Sequence, residues 1–520
     1  MKAARWLVPL SATFVAALVR LSLVLRSEFP LNDGALFYLM TRELQQAGFR
    51  LPAYTAYNGV GIPFAYPPLG LYLAGLLASL GRLPLLQVFR FLPVALSLMT
   101  VPAFWALARA LLPSGAAAAL ATYAFALLPA SFTWLIMGGG VTRAAGLLFA
   151  ILALYQGHAL YTREGNRHIL ATGFWAGLAA LSHLAMAWVA AASMALFFLT
   201  YGRSWRALAR SVAAAGVALA ITAPWWATVI AQHGLSPFLA AARSPEPPGA
   251  SLLFFLMLLW TDEPWFPVLA GLALLGLLSC LAARRWFLPA WLLGLVLLDP
   301  RTVDTTGSLP LALLAGLGIV DVLLPPLNGG AGVAAAAGSA YASWDPARSR
   351  LARATLCALF VYASCSALVA NSPVLVGLSS DERMAMEWVA QYTPQTSRFV
   401  VLTGDRAWGA DRSSEWFPVL AARQSVATVQ GREWLEGFMR SAYAYTMLQR
   451  CAAGDGSCLE AWAEEPGQSF THVYIAKRSS AVGRSVTDDA AASIRNTLRA
   501  DPRYRVLYDG PGATVLERVR

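Results

Sequence analysis

Apolar runs long enough to cross a hydrocarbon layer recur from the N-terminus to about Ala370 and then stop. A spanning helix needs roughly 20 apolar residues and satisfies its own backbone hydrogen bonds, which an irregular segment in lipid cannot do. With 58% hydrophobic and only 13% charged residues over 520 positions, these runs cannot all be buried in a soluble core. The expected fold class is a multispanning α-helical membrane protein of about 11–13 transmembrane helices, followed by a C-terminal soluble domain. The first run, Trp6 to Leu25, follows Lys2 and Arg5 and is closed by Arg26-Ser27-Glu28 rather than by a small-residue cleavage site. It reads as a retained first helix with a cytoplasmic N-terminus.

The net charge of +11 is not spread evenly, because residues 371–520 hold 17 basic and 17 acidic side chains. The whole excess lies in residues 1–370, with 22 basic against 11 acidic residues. Such an excess reports cytoplasmic loops, and no basic stripe with interleaved aromatics points to nucleic acid. Placing Lys2/Arg5, Arg82/Arg90, Arg163/Arg167, Arg203/Arg206/Arg210, Arg284/Arg285 and Arg348/Arg350/Arg353 inside makes the last helix, Leu351 to Ala370, exit and carry the C-terminal domain out. One stretch resists this rule. Three apolar runs (about 88–110, 115–136 and 141–161) lie between Arg90 and Arg163, where an even number is needed, so one run is re-entrant or one cluster lies outside. Glu28, Asp33, Glu43, Glu246, Asp262, Glu263, Asp299 and Asp304 all fall at the outer face in this scheme, which hints at an outward-facing polar cavity.

The first external loop, residues 26–67, carries the most information. After Pro30 an Asn-Asp-Gly turn opens Ala35 to Ala47, where Leu36, Phe37, Leu39, Met40 and Leu44 recur at helical spacing beside polar residues. The pattern predicts a short amphipathic helix on the membrane surface, capped by Asn32 or Asp33. Further on, "YNGVGIPFAYPPLGLYLAGLL" runs a Gly/Pro/aromatic loop into the next apolar helix, read as the second span, with Tyr66 and Pro67-Pro68 at its mouth.

An N-terminal helix, an acidic residue just after it, a surface helix and then aromatic-Pro-Pro resemble the glycosyltransferases of the GT-C fold, of the family 39 kind. Those enzymes use polyprenyl-phosphate-linked sugars as donors. The same loop is similar to a group of large bacterial and archaeal multispanning proteins known by a pterin-synthase-related domain. The resemblance covers roughly residues 5–235 in motif order and the whole chain in architecture. It implies a base that takes the acceptor's proton while a lipid phosphate leaves an anomeric carbon. Asp33 matches that position. Relatives carry an acidic pair or a Glu-x-x-Tyr pattern here, whereas this chain has Asn32 before and Tyr38 after the single carboxylate.

A leaving phosphate needs cationic or hydrogen-bonding partners at the same face. "MGGGVTRAAG" breaks an apolar stretch and puts Arg143 at a helix start, where an anion would meet a guanidinium and free N–H groups; a hinge or packing role is the alternative. His183, in "ALSHLAMAW", is the second candidate for the donor phosphate, against a plain interhelical hydrogen bond. His158, His168, His233 and His472 have no ligand spacing, so no metal site is expected by motif. Pro224 to Gly249 resembles the external loop that covers the lipid-donor entrance. Asp262, Glu263, Asp299, Arg301 and Asp304 form an outer-face set able to bind acceptor hydroxyls or a divalent cation, or simply to be solvated.

Beyond Asn371 the sequence turns mixed-polarity. Helices at Glu382 to Tyr392 and Asp488 to Arg499 alternate with strands at Arg398 to Gly404, Thr471 to Ala476, "YRVLYDG" and "ATVLERV", predicting an extracytoplasmic α/β domain over 371–520. Within it, Ser413 to Trp434 reads as an aromatic loop in which Glu415 and Trp416, with Asn32, Tyr38 and Tyr66 from the first loop, are candidates for acceptor or substrate binding; packing onto the membrane domain is the rival. Cys451 and Cys458 flank a Gly-rich turn and are expected to form a disulfide in an oxidising compartment. The expected activity is glycosyl transfer at the outer face of a bacterial plasma membrane, from a polyprenyl-phosphate-linked sugar to a glycan, lipid or protein acceptor, among membrane lipids. A lipid-linked-sugar flippase would show internal repeats, and none is found. A non-catalytic envelope-assembly protein is the third class.

Overall fold

Seven helices are long and apolar enough to cross a membrane in the computed structural model, which describes residues 4–244, 261–299, 302–328, 349–369, 374–477 and 491–519. They include α1 (Ala4–Leu25), and the count rises to eight if a bent pair is one span. Three shorter apolar helices, Leu69–Gly81, Val268–Ala282 and Phe287–Leu298, lie among them. The expected Glu246, Arg301 and Arg348 lie outside the described residues.

After α1 the chain forms α2 (Ala35–Gln46), a two-residue hairpin of β1 (Tyr54–Thr55) and β2 (Ile62–Pro63), and α3 (Leu69–Gly81). The expectation that α3 is the second span does not hold. At 13 residues it is too short, and it lies along α2: Gln45 donates to the Gly75 carbonyl and the Ser79 hydroxyl, and Tyr72 stacks on Phe49. The next helix, α4 (Leu85–Leu111), therefore starts at the end of the bundle where α1 finishes, and Arg90 reaches the Val24 carbonyl there. Arg82 and Arg90 sit at that end, not with Arg163. Arg82 caps the short helix α3 and Arg90 lies in the second turn of α4, so local packing rather than the loop rule places them.

This also accounts for the odd number of runs. Between Arg90 and Arg163 lie α4, then α5 (Gly115–Leu127) with a 79° bend into residues 129–135, then α6 (Gly140–Thr162). Three segments correctly join opposite ends of the bundle. At the far end, Arg210 donates to the carbonyls of Arg163 and Gly165, and Arg285 pairs with Asp321.

The C-terminal domain is joined through helix Arg350–Val369, and a bridge between Leu31 and Gly377 ties its first residues to the first loop. Its sheet has the order β4-β3-β5-β7-β6, where β3 (Arg398–Leu402) pairs in parallel with β4 (Gln424–Ser425) and β5 (His472–Ala476). β7 (Ala513–Arg518) and β6 (Tyr504–Asp509) complete it antiparallel. The predicted strands match these to within about two residues. The helix expected at Asp488 begins at Ala492, residues 488–490 being outside the described ones.

Successive side chains of a strand point to opposite faces. Val400, Leu402, Val473 and Ile475 therefore pack on Leu448, Leu459 and Ile494, while Phe399, Val401 and Tyr474 share a core with Phe29, Leu36, Tyr57 and Trp416. One face of the sheet thus builds the domain's own core, and the other is continuous with the first loop of the membrane domain. Cys451 and Cys458 form a disulfide across the turn at the start of helix Gly456–Ala463.

Candidate active site

Asp33 lies where this shared core meets the bundle. The Asn-Asp-Gly turn runs through the left-handed region at Asn32 (φ 48°) and Gly34 (φ 117°), conformations that Asn and Gly adopt most cheaply. Beneath it passes the Met137-Gly138-Gly139-Gly140 segment that starts α6, and Gly138 N–H donates to the Leu31 carbonyl at 2.9 Å. A Cβ on Gly138 would lie 2.1 Å from the Asp33 carbonyl oxygen, and one on Gly139 would lie 2.8 Å from the Asp33 carboxylate. The glycine run is there because two backbones touch.

The consequence is an ion pair. Asp33 Oδ1 accepts Gly139 N–H at 2.8 Å, and Oδ2 pairs with Arg143 one turn further along α6. Helix α6 thus receives a carboxylate at its N-terminus, where the helix dipole favours one, from 106 residues earlier in the chain. In this structure the anion at the helix start is Asp33, which takes up the Gly139 N–H. Arg143 also donates to the Trp134 carbonyl at 2.8 Å and lies 5.3 Å from the Trp134 ring centroid. Asp304, from the start of the helix after Thr302, takes a hydrogen bond from Trp134 and interacts electrostatically with Arg143. One guanidinium therefore stands among Asp33, Asp304 and, more distantly, Glu415.

Neither Asn32 nor Asp33 caps α2, contrary to expectation. The cap comes from the other domain: Glu415 Oε1 accepts Gly34 N–H at 2.8 Å and Ala35 N–H at 3.0 Å. Glu415 is 4% exposed and Trp416 is wholly buried, with its indole N–H on the Asn32 carbonyl at 3.0 Å. Of the two readings of this segment, acceptor binding and packing onto the membrane domain, the burial fits the second, and both residues lie on a helix, Arg412–Leu420, rather than on a loop. The helical spacing of Trp416, Phe417 and Leu420 was masked by Pro418. Burial pushes the Glu415 carboxyl up to about 7, against the lowering effect of the Gly34, Ala35 and Leu36 N–H groups and Arg143.

The remaining candidates divide. Asn32 spends its side-chain amide on the Gly409 carbonyl and the Met137 sulfur. Tyr38 lies on α2, its ring 5.8 Å from both Phe89 and Trp416. Tyr66, at the start of the Pro-Pro turn, approaches the Thr142 hydroxyl at 3.4 Å, next to Arg143. His183 breaks the chain between α7 (Arg167–Ser182) and α8 (Leu184–Phe197), 6.2 Å ring to ring from Tyr66. Gly146 allows this, since a Cβ there would lie 2.8 Å from the His183 Cβ. Arg143, Tyr66 and His183 thus line one side of the same region.

Of the other carboxylates expected at the outer face, Glu263 bonds the N–H groups of Leu269 and Ala270, and Asp299 holds the Thr302 and Thr306 hydroxyls. Both are local helix-end ligands. Among the described residues no group of three His, Cys, Asp or Glu side chains is placed to hold a metal ion. Sequence reasoning passed over Trp134, whose only signal is an aromatic after Pro129 in a broken helix. It also passed over Arg20, a wholly buried arginine of α1 that donates to the Ser97 carbonyl at 2.6 Å and the Ser97 hydroxyl at 2.8 Å.

A bundle with the loop after α1 folded over the start of α6, topped by a C-terminal domain that packs on that loop, is a membrane protein of the GT-C fold. Solved structures bear this out across nearly the whole chain. ArnT from Cupriavidus metallidurans bound to undecaprenyl phosphate superposes with a TM-score of 0.56 at 13% identity, covering 98% of each chain. The archaeal oligosaccharyltransferase AglB from Archaeoglobus fulgidus, in complex with an inhibitory peptide and a dolichol-phosphate, gives 0.55 at 16%, covering 90% of this chain and 69% of that one. The arabinofuranosyltransferase AftD from Mycobacteria gives 0.56 at 17%, with 98% of this chain spanning 40% of the larger protein. No family model matches the sequence, and no curated protein matches it. At such identities the likeness is one of fold.

Proposed function

We propose that this chain is a membrane glycosyltransferase that moves a sugar from a polyprenyl-phosphate carrier to an acceptor at the outer face of a bacterial plasma membrane. The observation that carries the reading is the Asp33–Arg143 pair: a buried acidic side chain of the loop after α1, held at a helix N-terminus beside a cation in a GT-C bundle. Support comes from ArnT and AglB, whose structures hold undecaprenyl phosphate and dolichol-phosphate.

In this reading Asp33 takes the proton of the acceptor's nucleophilic group as its lone pair forms the new bond to the anomeric carbon. The anomeric C–O bond breaks, and its electron pair leaves on the carrier phosphate. Arg143, with His183 and the Tyr66 hydroxyl beside it, meets the charge that develops on that phosphate. Arg143 exchanges its Asp33 partner for the phosphate when the donor arrives, which frees one carboxylate oxygen for the acceptor. The acceptor is a glycan, lipid or protein group reaching the site between the bundle and the C-terminal domain.

The test is transfer from a panel of radiolabelled polyprenyl-phosphate sugars in membranes containing the wild type or Asp33→Asn. Transfer that collapses in the variant at equal expression supports the assignment and identifies the donor. Transfer that survives the substitution removes Asp33 from the mechanism.

A further inference from the structure

The backbone groups on both sides of Asp33 are held by the C-terminal domain. Asn32 N–H donates to the Val376 carbonyl at 3.0 Å, and the Asn32 carbonyl accepts from Trp416. Gly34 N–H and Ala35 N–H both end on Glu415. The same loop is pinned twice more: the Tyr57 hydroxyl donates to the Glu415 carbonyl at 2.7 Å, and Asn58 exchanges two hydrogen bonds with the Ser425 backbone at 2.7 and 2.8 Å. The Phe29 ring packs edge-on to Trp416 at 4.6 Å.

A turn with two consecutive-but-one residues at positive φ leaves that conformation readily when nothing fixes it. A carboxylate buried to 4% exposure is costly unless its hydrogen bonds offset the lost water. Here those hydrogen bonds go to the two amides that follow Asp33.

We infer that Glu415 and Trp416 form a clamp by which the C-terminal domain positions Asp33, so that the active site is complete only when this domain is docked on the first external loop. The inference rests on the reading of Asp33 as the base. Glu415 is a positioning residue that touches neither donor nor acceptor. It acts through the backbone, so its loss lets the Asp33 carboxylate drift from the Gly139 N–H while the donor contacts at Arg143, Tyr66 and His183 stay. The split between rate and binding is therefore its signature: kcat falls and the donor KM holds.

The experiment pairs activity with hydrogen exchange on the purified full chain, comparing wild type, Glu415→Gln and Glu415→Ala. In Glu415→Ala the amides of Gly34 and Ala35, read from peptides spanning residues 29–40, exchange about ten-fold faster or more, and kcat drops by about ten-fold with the donor KM within about three-fold. Glu415→Gln keeps an acceptor oxygen in place and restores both readouts to near wild type. Should Glu415→Ala fail to fold, Trp416→Phe, which removes only the N–H to Asn32, gives the same test with a smaller expected loss. Unchanged exchange in Glu415→Ala overturns the clamp, and so does faster exchange with undiminished kcat. Absence of transfer in the wild type sinks the base reading alone, because the exchange readout then still supports or overturns the clamp by itself.

Discussion

Asp33 and Arg143 close an ion pair between the loop after α1 and the first turn of α6, and the Gly139 amide completes the carboxylate's shell from the same turn. The pair is largely shielded from water, with side-chain exposures of 17% for Arg143 and 9% for Asp33. Removing one partner of such a pair leaves the other charged and poorly solvated, a loss of roughly 3–5 kcal/mol where burial is complete and less here. Arg143→Ala is expected to reduce transfer by about 100-fold or more, since both the pairing and the phosphate partner go. Arg143→Lys keeps the charge and loses the fork that reaches Asp33 and the Trp134 carbonyl together, for a loss of about ten-fold. Combining Asp33→Asn with Arg143→Ala should cost little beyond the worse single variant, and kinetics on all four proteins measure this.

Gly139→Ala provides a sharper probe of the same contact. The new methyl would lie 2.6 Å from an Arg143 nitrogen and 2.8 Å from the Asp33 carboxylate, so the side chains must part. Expected is loss of most transfer activity with the protein still folded, because the displaced atoms belong to side chains. Gly138→Ala differs in kind. Its methyl meets the Asp33 backbone carbonyl at 2.1 Å, which cannot yield without moving the loop, so thermal stability should fall as well. Gly271→Ala, in an apolar helix with open space around the added carbon, is the control and should leave both measurements unchanged.

How far the sequence foretold this arrangement depends on the range of the interactions involved. Apolar runs and period-2 strands are local patterns, so the bundle and most of the C-terminal sheet were legible residue by residue. Asp33 and Arg143 were each recognisable as candidates, one from its isolation and one from the glycine break. Their partnership was not, because it forms only when residues 32–34 and 137–139 meet backbone to backbone. The capping of α2 was misread for the same reason: local rules favour Asn32 or Asp33, and a carboxylate some 380 residues away took the position. α3 was misread because composition alone does not separate a 13-residue surface helix from a spanning one.

Glu415 gives the interface a pH dependence whose sign can be worked out. Burial holds its carboxyl at about 7 in the docked protein, above the ordinary value of 4.5. A group whose value is raised on folding favours the folded state while it is protonated. Its contribution is therefore fully present below about 4.5 and is lost as pH rises through about 7. Arg143 is the cation facing it, and the acidic Glu433 and the phenol of Tyr57 lie within electrostatic reach of the same cluster. Glu415→Gln carries no proton to lose. Thermal unfolding of both proteins between pH 5 and about pH 8 should show the wild type losing stability relative to the variant as pH rises, and a gap that stays constant would remove Glu415 as the titrating group.

The Cys451–Cys458 disulfide tests which side of the membrane the C-terminal domain occupies. It closes a loop across a sequence separation of 7, at the edge of the core on the sheet face away from Asp33. For so short a loop the chain-entropy contribution is about 2–3 kcal/mol. Replacing both cysteines by serine should lower the unfolding temperature of the purified protein and leave transfer within about two-fold, because no contact of the Asp33 loop passes through this turn. Cys280, Cys357 and Cys365 lie in apolar helices and are best replaced beforehand. In intact cells the pair should then resist a membrane-impermeant thiol reagent until an impermeant reductant is added, and react afterwards. A pair that reacts only after the cells are opened would put the domain on the cytoplasmic side, and with it the Asp33 loop that the domain covers.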